Sequence, residues 1–307
     1  MKKTSKIFIA GISNFYGQSL LKILHKQKYT KITNVKIKVD LYNYNDVYNH
    51  FLKYKPEYIF ILSGDTGGIK KNIEKPASLL IDNLTQSLNV FRVAKIFKSK
   101  KLLFLGSSCV YPKFSQQPML PSYIMKGYLE PTNSSYALSQ IAGIELSKAI
   151  SKELNLNFIS AIPANPYGPY DSFSRNDSHV IPALINKFHN AKINNFKEIK
   201  LWGSGKPRRE FIFIDDLSSA LILLMKKYND CQPINIGTGE ICSIKNLAYK
   251  IKEIIKYSGK IYFDNKAIDG ILNKTLNSNK IRKLGWSSQI NIDRGIKYTY
   301  KWYKKNY

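Results

Sequence analysis

Chemistry in this chain concentrates where an apolar run stops. Leu103-Phe-Leu-Gly-Ser-Ser-Cys-Val-Tyr-Pro112 reads as a short strand followed by a cluster of hydroxyl and thiol side chains, Ser107, Ser108 and Cys109. In a parallel sheet ligands gather beyond the carboxyl ends of the strands, so a thiol and two hydroxyls are well placed there for reaction. Downstream, Glu130-Pro-Thr-Asn-Ser-Ser-Tyr136 opens a helical stretch, and Tyr136 and Gln140 stand four residues apart. That spacing puts a phenol and an amide on one helical face.

A second motif precedes these. Lys6-Ile-Phe-Ile-Ala10 is an apolar strand run ending in Gly11-Ile-Ser-Asn-Phe-Tyr-Gly17. Glycines between a first strand and a first helix let the backbone turn tightly and approach a pyrophosphate, which the helix N-terminus attracts. The middle position of the GxxGxxG spacing is Asn14, a residue that tolerates positive φ, so the turn is expected to survive. Asp40 closes Val35-Lys-Ile-Lys-Val39, which alternates like a second strand. An acid there suits a ribose hydroxyl, and Lys36 and Lys38 suit an additional phosphate, so the residues alone leave NAD and NADP both open. Leu62-Ser-Gly-Asp-Thr-Gly-Gly68 is expected to line the same groove.

The elements that must carry these motifs alternate. Strands are expected at 6–10, 35–39, 58–62, 101–105 and 157–161, and helices from Gly17, at 46–54, 76–98 and 136–154. Such alternation predicts an α/β fold with a doubly wound parallel sheet. After about residue 165 Pro, Gly and Asn punctuate shorter segments, with helices at 244–257 and 292–304. The expected organisation is a cofactor domain over 1–165 and a smaller mixed α/β substrate lobe over 166–307, some of whose segments return to the first domain.

Composition narrows the class. The chain has 307 residues, 44% of them hydrophobic, which is enough for a full core. No apolar run reaches the roughly 20 residues of a membrane span, and Met1-Lys-Lys-Thr-Ser-Lys6 has no signal-peptide h-region. Three scattered cysteines, Cys109, Cys231 and Cys242, form neither a disulfide framework nor a zinc site. A cytoplasmic protein without metal or membrane partner is expected. The net charge of +27 spreads along the whole chain with no basic tail and no nucleic-acid module, so no nucleic-acid partner is expected. A basic surface also concentrates anionic ligands.

Taken together the motifs resemble one family. GSSCVYP, QQPM at 116–119, EPTNSSYA, IAGIEL, NPYGPYD at 165–171, NDSHVIPALI at 176–185, LWGSGKPRREF at 201–211, DDL at 215–217 and NIGTGE at 235–240 are similar, in order and in spacing, to the GDP-L-fucose synthases of the extended short-chain dehydrogenase group. Members reduce and epimerise GDP-4-keto-6-deoxymannose. The resemblance implies a Rossmann fold, NADP(H) rather than NAD(H), a GDP-linked 4-keto sugar and a homodimer formed through helices such as 76–98 and 136–154. It implies that Ser107 and Tyr136 hold the 4-keto oxygen, with Tyr136 as proton donor, and that Cys109 and His179 are the acid/base pair for C3 and C5. It places Gly11, Asn14, Phe15, Tyr16, Gly17, Lys36, Asp40, Leu41, Leu105, Gly106, Ser108, Gln140, Pro163, Asn165 and Pro166 at the cofactor. Lys187, Trp202, Arg209 and Asn277 fall at the nucleotide sugar, Lys187 where the family has Arg and Asn277 where it has an acid.

One departure bears on mechanism. The group's Tyr-x-x-x-Lys becomes Tyr136-Ala-Leu-Ser-Gln140. Glutamine can bond the nicotinamide ribose but brings no charge to the tyrosine. This keeps open an alternative, an NDP-4-ketosugar epimerase or reductase with only one of the two activities. It also keeps open a catalytically weak nucleotide-binding protein, against which stand the four preserved side chains Ser107, Cys109, Tyr136 and His179.

Overall fold

Short apolar strands separated by amphipathic stretches build the first layer. In the computed structural model, which describes residues 1–174, 178–264 and 271–307, β1 (Ile7–Ala10), β2 (Tyr58–Ile61), β3 (Lys101–Leu105) and β4 (Asn157–Pro163) lie side by side. The short β5 (Asn165–Tyr167), β6 (Glu198–Trp202) and β7 (Arg208–Phe213) follow in sequence, and β8 (Ile234–Ile236) returns to extend the first sheet. That sheet runs β1-β2-β3-β4-β8, with every pair parallel. Its strands are buried on both faces, as a parallel sheet covered by helices requires. Around it lie α1 (Phe15–Lys26), α2 (Tyr44–Tyr54), α3 (Ile69–Glu74), α4 (Pro76–Ile96), α5 (Ser134–Leu154) and α7 (Ile214–Lys227), whereas α6 (Val180–Ile193) buries its apolar residues in the second core. Lys101 is buried in β3, its ammonium bonded to the carbonyl of Leu224 and to Asn229 Oδ1 at 3.0 Å each, which ties the end of α7 to the sheet. Burial drives its pKa down to about 8.

The strand expected at 35–39 does not form. Val35 and Ile37 are exposed, and the ladder beside β1 shrinks to one bridge, Ile7 to Ile32. The reason is Asn34. Its buried side chain accepts from the Ile9 amide at 3.2 Å and donates to the Ile9 carbonyl at 2.9 Å, taking both groups a further strand would need. Alternation in Val35–Val39 therefore has no edge to pair with.

A second layer lies beyond β5. Here β9 (Ile241–Ser243), α8 (Ile244–Ile255), β10 (Lys260–Asp264), β11 (Asn273–Lys274), α9 (Asn279–Lys283) and α10 (Ile292–Asn306) complete the chain. β6 pairs with β10, while β7 is flanked by parallel β5 and β11 and by antiparallel β9. Two hydrophobic cores result. The first joins the main sheet to Leu217, Leu221 and Met225 of α7 and to Ile281 and Trp286. The second is built from Tyr167, Phe188, Phe211, Leu247, Ile251, Ile296 and Tyr300 with their neighbours. Among the described residues no helix is long and apolar enough to cross a membrane.

Candidate active site

The turn from β1 to α1 is tight because two glycines sit where a side chain will not fit. At Gly11, φ is +88°, and a Cβ would stand 2.8 Å from the Ser63 amide nitrogen. At Gly17 a Cβ would stand 2.1 Å from the Gly11 carbonyl oxygen. Asn14 does something other than adopt positive φ. It is the extended N-cap of α1, φ −82°, and its side chain accepts from the Gly17 amide at 2.9 Å and donates to the Leu62 carbonyl at 2.7 Å. The asparagine thus clips the loop to the end of β2 and leaves the amides of Phe15 and Tyr16 among the unpartnered donors a helix N-terminus offers an anion. Beside it Ser63 Oγ is buried without a hydrogen-bond partner among the described residues.

With no strand at 35–39, Lys36 and Asp40 ride on an exposed connection. The Asp40 carboxylate caps the Tyr42 amide at 2.9 Å, and its own amide donates to Asp46 at 2.6 Å. Leu41 is half-buried, its carbonyl held by Asn89 at 2.9 Å.

Beyond β3 the chemistry is compact. Leu105 ends the strand and Gly106 donates its amide to the Ala161 carbonyl at 2.8 Å. Ser107 then caps a single 3-10 turn carrying Ser108 and Cys109, its hydroxyl accepting the Cys109 amide at 3.3 Å. In the first turn of α5, Tyr136 is buried, with Ser107 near enough to favour its ionised form. Burial holds its pKa well above 10. Tyr16, Cys109 and Asp65 push the same way, and Ser107 opposes. Gln140, one helical turn on, is buried, and its side chain makes one long contact among the described residues, Nε2 to Ser139 Oγ at 3.5 Å. Pro163 closes β4, and in β5 Asn165 donates to the Glu210 carbonyl at 2.7 Å with half-buried Pro166 beside it.

Cys109 and His179 have separate supports. The half-exposed thiol is approached by Asn133 Nδ2 at 3.3 Å and Lys274 Nζ at 3.6 Å. His179 precedes α6. Its Nδ1 lies 3.2 Å from both oxygens of buried Asp171, and its Nε2 3.2 Å from Thr66 Oγ1. Burial lowers the imidazole pKa, but the Asp171 hydrogen bond and charge outweigh it, and the net shift is upward. Burial raises the pKa of Tyr16, and charge on Asp171 and on Cys109 each adds to the rise, which links the two clusters electrostatically. Asp171, Thr66, Asn133 and Lys274 were not singled out as site residues from sequence. The first three lie inside quoted motifs, NPYGPYD, LSGDTGG and EPTNSSYA, whereas nothing local marks Lys274.

Asp171→Asn should therefore lower the His179 pKa by about one to three units, the usual effect of removing a contacting opposite charge. Imidazole NMR titration of the folded protein reads this directly. Because the folded pKa is raised, the pair's contribution to stability is full below the ordinary histidine pKa and is lost as pH rises through the folded value. Thermal melts of wild type and variant should accordingly differ most at acid pH.

The remaining residues lie on the second layer. Lys187, exposed on α6, donates to the Lys200 carbonyl in β6, the strand that ends at Trp202, which is 75% exposed. Arg209 is half-buried on β7 and stands opposite Lys274 in the β7–β11 register. Asn277 is occupied in its own loop, its amide on the Met119 carbonyl at 2.9 Å and its Oδ1 on the Asn279 amide at 3.2 Å. Asn176 and Asp177 of the NDSHVIPALI block lie outside the described residues.

Comparison with known proteins bears on this geometry. The model of the NAD dependent epimerase/dehydratase family matches residues 7–237. The putative GDP-L-fucose synthase 2 of Arabidopsis thaliana is 40% identical over 307 residues, all of this chain and 94% of the relative. The crystal structure of a GDP-6-OMe-4-keto-L-xylo-heptose reductase from C. jejuni superposes with a TM-score of 0.93 at 31% identity, covering 100% of this chain and 99% of that one. A GDP-L-fucose synthetase from Naegleria fowleri bound to NADP gives a TM-score of 0.92 at 28% identity over 100% and 95% of the two chains. The chain belongs to the NAD-dependent epimerase/dehydratase family.

Proposed function

We propose that the protein is a nucleotide-sugar epimerase/reductase of GDP-L-fucose-synthase type, acting on a GDP-4-keto-6-deoxyhexose with NADPH. The observation that carries this reading is the pairing of two devices around one space. A phenol–serine pair suits a carbonyl oxygen, and a thiol and an imidazole, each with its own support, suit proton transfer at the flanking carbons. The relatives' names fit the same chemistry.

The residues fit the cofactor. The Gly11 and Gly17 turn, the free helix-start amides and the orphaned Ser63 hydroxyl suit a pyrophosphate crevice, and Lys36 and Lys38 suit a 2′-phosphate. When bound, NADPH supplies the hydride that reduces C4. The chain does the rest. Ser107 and Tyr136 donate hydrogen bonds to the 4-keto oxygen, which makes the neighbouring C–H bonds acidic. Cys109 as thiolate takes a proton from carbon, forming S–H as C–H breaks, and the electron pair moves to the oxygen as an enolate. His179 as imidazolium returns a proton on the opposite face, leaving neutral imidazole. The cycle repeats at the second carbon after proton exchange with solvent, and Tyr136 finally protonates the C4 oxygen during reduction. Asp171, by its hydrogen bond and charge, shifts His179 toward the charged acid.

In this reading residues 1–165 with the returning segments hold the cofactor. Residues 166–307 mainly hold the nucleotide sugar, with Lys187, Trp202, Arg209 and Asn277 toward the GDP. Two copies would pair through α4 and α5, which carry the exposed Ile81, Leu88 and Leu138, in a cytoplasmic homodimer. No nucleic acid or membrane enters the reaction. The test is incubation with GDP-4-keto-6-deoxymannose and NADPH in D2O. Loss of NADPH absorbance together with deuterium at C3 and C5 is expected. Neither signal would reject the reading, and deuterium uptake without oxidation would restrict the enzyme to epimerisation.

A further inference from the structure

Cys109 has two donors approaching its sulfur from distant parts of the sequence. Asn133 comes from the turn before α5 and Lys274 from β11, 165 residues after the cysteine. Lys274 is half-buried and, among the described residues, makes no ion pair. The acid that shares its small cavity, Glu130, is already paired with Lys113 at 3.1 Å. The Lys274 ammonium therefore has the sulfur as its polar partner.

Its placement is built rather than incidental. β11 is only two residues long, yet everything after it is fixed. The Thr275 amide and hydroxyl both donate to Gln117 Oε1, at 2.8 and 2.9 Å. The Thr275 carbonyl accepts the Met119 amide at 2.8 Å. The Leu276 amide donates to Glu210 Oε2 at 2.9 Å, and Glu210 is 1% exposed. The buried Glu210 carboxylate and the half-buried Gln117 amide thus anchor the residues that follow Lys274, and the β7 ladder holds its backbone opposite Arg209. Burial first, and charge on Cys109 after it, disfavour ionisation of the Tyr16 and Tyr136 phenols.

Resting on the functional reading above, we infer that Lys274, with Asn133, holds Cys109 as a thiolate and aims it at the sugar carbon. Lys274 is a positioning residue for proton abstraction. A thiolate gains a charge-assisted hydrogen bond from Nζ and a second from the Asn133 amide. When the sulfur takes up its proton, the ammonium is left beside a neutral thiol and favours giving that proton back to solvent before the second abstraction. Where Gln140 supplies no charge on the reduction side, Lys274 supplies one on the epimerisation side.

The test begins with the full chain and no ligand. Alkylation of Cys109 by iodoacetamide and by iodoacetate is followed by mass spectrometry of its peptide. Lys274→Met should slow iodoacetamide about tenfold, and iodoacetate by a further several-fold because the anionic reagent loses its local attraction. Lys274→Arg should recover most of both rates, and Asn133→Ala should slow both reagents equally. The ratio of the two reagents answers to charge, not to packing. Lys274→Gln takes the place of methionine if the melt shows that methionine unfolds the chain. With sugar and NADPH in D2O, deuterium uptake at C3 and C5 should fall about 10- to 100-fold in Lys274→Met. Wild-type alkylation rates and ratio in the variant would overturn the inference. Failure of the wild type to exchange or oxidise would overturn the functional reading alone, because the alkylation result does not depend on it.

Discussion

Cys109→Ser is expected to reduce deuterium uptake at C3 and C5 by about 10²- to 10⁴-fold, the range a positioned acid–base group contributes. Serine keeps the shape, and Asn133 and Lys274 still have an oxygen to donate to. What it lacks is acidity: a hydroxyl does not become an anion near neutral pH, so no base is present to receive the carbon proton. His179→Gln should give a different outcome. The thiolate still removes and returns protons on its own face, so exchange continues while inversion stops. The two variants are read by proton NMR of the sugar, which reports deuterium content and ring stereochemistry together. Retained exchange in Cys109→Ser would remove the thiol from the mechanism, and inversion in His179→Gln would remove the imidazole.

How far these roles were legible in sequence depends on what carries them. The main sheet was legible because its strands are continuous apolar runs between amphipathic helices, so β2, β3 and β4 fall within two residues of expectation. The error at 35–39 is instructive. Val-Lys-Ile-Lys-Val has the period of a strand, but strand formation also needs a partner, and Asn34 removes it by bonding both backbone groups of Ile9. The second layer was read only in outline because its strands are two to six residues long and are set by pairings such as β7 with β11, which no local period announces.

The candidate site shows the same division. Residues within one strand-to-helix turn were visible, since Gly11, Asn14 and Gly17 act on each other over six positions. Their physics was only partly visible, because Asn14 serves by its side chain as a cap and not by its φ. Asp171 and Lys274 were missed for different reasons. Asp171 is eight residues from His179 and fits the ordinary appearance of a polar turn. Lys274 is one lysine in a chain with 48 Lys and Arg residues, and only the fold selects it.

Gln140→Lys is expected to raise the single-turnover rate of hydride transfer by about 10- to 100-fold, reasoning from the one to three pKa units that an adjacent opposite charge gives. Tyr136 is buried, and burial, with charge on Tyr16 and Cys109 adding to it, holds its pKa well above 10. A phenol so reluctant to ionise is a weak acid for the C4 oxygen. Gln140 sits one turn along the same face of α5 and carries no charge. An ammonium there would stabilise the tyrosinate left after proton donation, each unit being worth about 1.4 kcal/mol. The substitution has a cost. Position 140 is 6% exposed, and its nearest polar partner is the Ser139 hydroxyl at 3.5 Å. Lys101 shows what a buried ammonium needs in this fold, namely carbonyl acceptors on several sides. A loss of about 1–3 kcal/mol in stability is therefore expected in the variant without cofactor, with NADPH recovering part of it by mass action. Stopped-flow loss of NADPH absorbance across pH separates the effects. The decline of the rate at high pH should move to lower pH in Gln140→Lys, because the acid now loses its proton earlier. Gln140→Met serves as the control for the amide's other task, raising the KM for NADPH without moving that decline. An unchanged or slower hydride step in a Gln140→Lys enzyme that still binds NADPH would show that proton donation from Tyr136 does not limit reduction.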